Sequence, residues 1–93
     1  MTERLEAIVS GKVQMVMFRD FVQRKASVLK ITGEVRNIKD GTVLVVAEGD
    51  HETLEKLLAR LHHGPLLARV DSVSASWLLA TQEYKSFKIS YAK

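Results

Sequence analysis

TGEVRNI, KDG and TVLVVAE, read consecutively from Thr32 to Glu48, decide how this chain folds. Thr32 to Ile38 and Thr42 to Glu48 are β-rich runs, and Asp40-Gly41 between them is a dipeptide that supplies the positive φ of a hairpin turn. The two runs are therefore expected to pair antiparallel. Upstream, Phe18, Phe21, Val22, Val28 and Leu29 recur at three- and four-residue steps, with Arg24 and Lys25 on the other face, which predicts an amphipathic helix from Phe18 to about Leu29. Downstream, Asp50 is placed to cap a second helix over His51 to His63. Its stripe is Leu54, Leu57, Leu58 and Leu61, and its stop is Gly64-Pro65. Outside the helices lie a first strand, Leu5 to Ser10, ending at Gly11, then an alternating run from Arg69 to Leu79 and a short closing strand, Phe87 to Tyr91.

The order is strand, helix, strand, strand, helix, strand, plus one terminal strand. Two helices of this length cannot bury their own apolar stripes, so they are expected to cover one face of an antiparallel sheet. That is an α+β fold, a ferredoxin-like α/β sandwich of βαββαβ order with a short C-terminal strand. The 93 residues suffice for one such domain, residues 1–93, with no repeat, linker or low-complexity segment.

Composition narrows the function classes. With 46% hydrophobic and 27% charged residues the chain has the balance of a folded soluble protein, and without cysteine it has neither a disulfide scaffold nor a thiolate metal site. The N-terminus lacks an apolar run of signal length and no stretch approaches a membrane span, so the expected setting is the cytoplasm, with no membrane partner. A net charge of +3 attracts anions weakly, but the basic residues are interleaved with Asp and Glu. Aromatics are only 6%, with no closely spaced pair on a strand to stack bases, so nucleic acid is not the expected partner. A small phosphate-bearing molecule suits this charge better. By size the chain is read as a monomer.

Two places could carry chemistry. Gly11 to Met17 joins the first strand to the first helix, and Phe18-Arg19 opens that helix. Such a loop can aim several N–H groups at one point, helped by the helix dipole and a planar cation, which makes an anion cradle; it can equally be an ordinary connection with a surface arginine. Asn37 sits near the end of the second strand, just before the hairpin, where its amide can hold a water or simply help the turn. His62-His63 is not a metal pair, because adjacent helical residues point about 100° apart. Trp77 reads as sheet packing, and Met17 as either packing or a contact to a ligand at the loop's mouth.

Taken together, GKVQMVMFR (Gly11–Arg19), ITGEVRN (Ile31–Asn37), DGTVLVVAEG (Asp40–Gly49), GPLLARVDSV (Gly64–Val73), Trp77 and SFKI (Ser86–Ile89) resemble the acylphosphatase family over nearly the whole chain. The resemblance implies hydrolysis of a small-molecule acyl phosphate to carboxylate and inorganic phosphate, without cofactor or metal. It implies that Arg19 and the loop residues Gln14, Met15, Val16, Met17 and Phe18 bind the phosphoryl group, and that Asn37 orients the attacking water. The family motif reads G-x-V-Q-G-V-x-F-R, and Met15 stands where its second glycine is expected. A positive φ there costs a methionine about 1–2 kcal/mol. Lys30 likewise replaces a frequent glycine at the end of the first helix. Met15 keeps an alternative open: a catalytically weak domain of this family that binds a phosphorylated ligand or a partner.

Overall fold

The structure, a computed structural model, describes residues 2–91. At its centre is the hairpin of β2 (Thr32–Asn37) and β3 (Val43–Asp50), paired antiparallel with Val35 opposite Val45. Gly41 has φ 95° and its N–H donates to the Ile38 carbonyl at 3.1 Å, so the turn uses glycine where a side chain would be strained. β1 (Thr2–Lys12) pairs with the other side of β3, and β4 (Arg69–Leu79) pairs with the outer side of β1. β1 is longer than its apolar run because backbone ladders on both sides hold its polar ends as well.

α1 (Phe18–Val28) and α2 (His51–His63) lie on one face of the sheet. Leu5, Ala7 and Val9 alternate toward that face and meet Val22, Ala26, Leu54, Leu57 and Leu61 in a single buried cluster. Trp77 shares this parity, opposite Leu5, and stacks on His51 at 4.3 Å, in keeping with a packing role. Asp50 takes the N-cap position of α2 in extended backbone, φ −69° and ψ 148°, but its side chain makes no capping hydrogen bond.

α1 ends in a Schellman arrangement. The Lys30 N–H donates to the Ser27 carbonyl at 3.1 Å and the Ile31 N–H to the Ala26 carbonyl at 2.9 Å, with Lys30 at φ 58°. Lys30 is exposed, so only its backbone is at stake. Lys30→Gly is expected to raise stability by about 1 kcal/mol, read as a higher urea midpoint at unchanged m-value.

The strand order is β4-β1-β3-β2-β5, with β5 (Phe87–Ile89) parallel to β2. The sheet is thus mixed, and antiparallel in all but this last pairing. The reason is the path of residues 80–86. This segment crosses from one edge to the other at the end where β2 begins, so the chain must run along β2 in β2's own direction. It is fixed there by Glu48, a buried carboxylate on the sheet face away from the helices. Glu48 accepts from the N–H groups of Thr81 and Gln82 and from Arg4 Nε, each at 2.8 Å.

Burial pushes the Glu48 carboxyl up, but the donors Thr81, Arg4 and Gln82 outweigh it and hold the group below its ordinary value of 4.5. The folded carboxyl therefore stays ionised where the unfolded one protonates. Its contribution is complete above pH 4.5 and is lost as pH falls through the lowered folded value. Glu48→Gln should lower stability by about 2 kcal/mol at neutral pH, and its deficit against the parent should shrink in acid, as followed by urea titration.

Candidate active site

The register of the sheet brings the two candidate regions together. Val43 of β3 lies opposite Val9 of β1 on one side and opposite Asn37 of β2 on the other, so the ends of β1 and β2 flank the same end of β3. β1 bends at Gly11, φ 125°, where the pairing with β4 shifts register, just before the loop leaves the strand after Lys12. A Cβ at Gly11 would sit 2.1 Å from the Arg69 carbonyl oxygen, so only glycine permits this close approach.

Beyond it, the loop is tied to the hairpin by Gln14. Its Nε2 donates to the carbonyls of Ile38 and Thr42, both at 2.8 Å. Met15 and Met17 then take left-handed backbone conformations, φ 60° and 61°. Each departure costs about 1–2 kcal/mol for a residue with a side chain. The strain at Met15 is the one its place in the motif anticipates; that at Met17 carries no sequence signal, because no glycine is expected there. Alternation of this kind curls a chain so that successive N–H groups converge. Met17 is also the N-cap of α1, and the first helical bond runs from the Phe21 N–H to the Met17 carbonyl at 3.0 Å. The amides of Phe18, Arg19 and Asp20 accordingly have no intrahelical acceptor.

These elements enclose a surface cleft of about 410 Å³. Met15, Met17, Phe18 and Arg19 line it from the loop and helix, and Asn37 from β2. Arg19 and Asn37, ambiguous singly, thus share one cavity. Gln14 and Val16 do not line it: the Gln14 amide is committed to the hairpin, and Val16 packs against the core. Four lining residues were not expected from the sequence, namely Val13, Asp20, Ile89 and Tyr91. The signal for Tyr91 was its parity with Phe87 and Ile89, which carries one side of the closing segment toward the cleft.

Within the cleft the Arg19 guanidinium carbon lies 5.1 Å from the centroid of the Tyr91 ring, a cation–π contact that restrains an otherwise mobile side chain. Asp20 accepts from Arg24 Nε at 3.0 Å, one helical turn away. Asn37 Oδ1 is different: it is buried and has no hydrogen-bond partner. A buried acceptor left so costs about 1–3 kcal/mol until a donor reaches it. Among the described residues no group of three His, Cys, Asp or Glu could hold a metal ion, and no helix is long and apolar enough to cross a membrane.

The acylphosphatase family model matches residues 5–89. The chain belongs to the acylphosphatase family. It is similar to the acylphosphatase of Salinibacter ruber, 41% identical over 87 residues that cover 94% of this chain and 92% of the relative. It is likewise similar to that of Thermus thermophilus, 50% identical over 74 residues, covering 80% and 84%. Among solved structures, the acylphosphatase from Bacillus subtilis superposes with a TM-score of 0.92 at 32% identity, over 96% of this chain and 99% of that one. The ferredoxin-like α+β fold expected from the sequence is the one this chain shares with the Bacillus subtilis acylphosphatase.

Proposed function

We propose that the cleft between the β1–α1 loop and the end of β2 is where this protein hydrolyses small-molecule acyl phosphates to carboxylate and inorganic phosphate. Arg19 and the converging amides of residues 15–19 hold the phosphoryl oxygens, and Asn37 Oδ1 accepts a hydrogen bond from the attacking water. The observation that carries this reading is that Asn37, whose buried Oδ1 has no hydrogen-bond partner, lines the same cavity as Arg19.

The chemistry asks little else of the protein. The water oxygen bonds to phosphorus while the phosphorus–oxygen bond to the acyl group breaks, and the carboxylate leaves with the electron pair. Phosphoryl transfer of this kind depends mainly on positioning and charge stabilisation. Asp20 is the one carboxylate among the described residues lining the cleft, and it is engaged by Arg24. The proton released by the water therefore passes to a phosphoryl oxygen. On this reading the protein needs no metal or cofactor and works as a cytoplasmic monomer.

Hydrolysis of benzoyl phosphate at neutral pH, with a chelator present, tests the proposal. Rapid turnover insensitive to the chelator supports it. A folded protein that binds inorganic phosphate without turnover would favour the binding domain that strain at Met15 suggests, and loss of turnover on chelation would overturn the metal-free reading.

A further inference from the structure

Met15 and Met17 share two features. Both hold left-handed backbone conformations, φ 60° and 61°, and both expose their side chains to water, Met15 by 98% and Met17 by 72%. Backbone strain of this kind persists where the surrounding structure imposes it and clusters at functional sites. Core packing does not account for either side chain. Both line the cleft, together with Ile89 and the exposed ring of Tyr91.

We propose that Met15 and Met17, with Ile89 and Tyr91, form a subsite for the acyl group and select acyl phosphates whose acyl chain is apolar and uncharged. The inference rests on reading the cleft as the phosphoryl site. If the loop amides and Arg19 hold the phosphoryl group, the acyl group, attached through one oxygen, must extend along the remaining walls. Those walls are apolar apart from Asp20 and Asn37. Methionine suits such a surface, because its unbranched thioether adapts to acyl groups of different shape. Covering it with hydrocarbon removes apolar area from water on both partners. A second anionic group on the substrate would instead meet Asp20. Arg19, the one cation lining the cleft among the described residues, is already occupied by phosphate.

The test compares kcat/KM for acetyl, hexanoyl and succinyl phosphate in the parent and in the Met15→Gly/Met17→Gly double variant. Acetyl and hexanoyl phosphate have nearly the same leaving group, so their ratio reports on the acyl side. Relaxing the loop with glycine changes phosphoryl binding for all three substrates alike and leaves the ratios to the acyl subsite. The parent should prefer hexanoyl to acetyl phosphate by about tenfold or more, and disfavour succinyl phosphate. In the double variant the hexanoyl preference should fall to within about threefold. Equal use of acetyl and hexanoyl phosphate by the parent, or a preference that survives in the variant, would overturn the subsite while leaving the hydrolase intact. Hydrolysis of none of the three would overturn both.

Discussion

Arg19→Gln is expected to lower kcat/KM for benzoyl phosphate by about a thousandfold or more, roughly 4 kcal/mol of transition-state stabilisation. Glutamine keeps a donor of similar reach but loses the charge and the planar fork that can hold two phosphoryl oxygens at once. Charge on those oxygens rearranges as the bond to the acyl group breaks, so both kcat and KM should suffer. Arg19→Lys should recover only part of the loss, because an ammonium neither grips two oxygens in one plane nor stacks in the same way on the Tyr91 ring that now flanks Arg19 at 5.1 Å. Arg19 is only partly buried and lies at the helix start, so the fold should survive each change. Steady-state kinetics beside a urea denaturation curve separate the two effects.

Asn37→Ala gives a different signature. If the side chain holds the water and not the substrate, as proposed, kcat should fall by about a hundredfold or more while KM and inhibition by inorganic phosphate change little. Stability should stay level or rise by about 1 kcal/mol, because removing the amide removes a buried acceptor that the folded protein leaves unpaired. A residue that merely supported the hairpin turn would behave oppositely, losing stability and sparing kcat. Active sites that hold polar atoms ready for a substrate commonly give up stability to do so.

The sequence was most legible where local chemistry and burial agree. Asp40-Gly41 between two β-rich runs, and the leucine stripe of α2 ending at Gly64, specify their elements from composition alone, and the second helix occupies the residues expected, His51–His63. The direction of β5 was not legible. It depends on residues 80–86 and on Glu48, a charged residue that a pattern reading places in solvent but that the crossing segment buries. The site divides in the same way. Arg19 and Asn37 could be named from their motif, but their meeting required the register that sets Val43 between Val9 and Asn37. The left-handed turn at Met15 was signalled by a missing glycine, whereas Met17 adopts the same conformation with no such mark. Tyr91 reaches the cleft only because β5 runs parallel along β2.

The proposed reaction is attack on phosphorus by a water held by Asn37, while Arg19 and the loop hold the phosphoryl group. It is tested most directly by hydrolysing benzoyl phosphate in water enriched in oxygen-18 and following where the label goes. Attack at phosphorus puts the label in inorganic phosphate and none in benzoate, with the rate of labelled phosphate formation falling in step with turnover in Asn37→Ala. Label in benzoate would mean attack at the carbonyl carbon and would contradict the proposed mechanism.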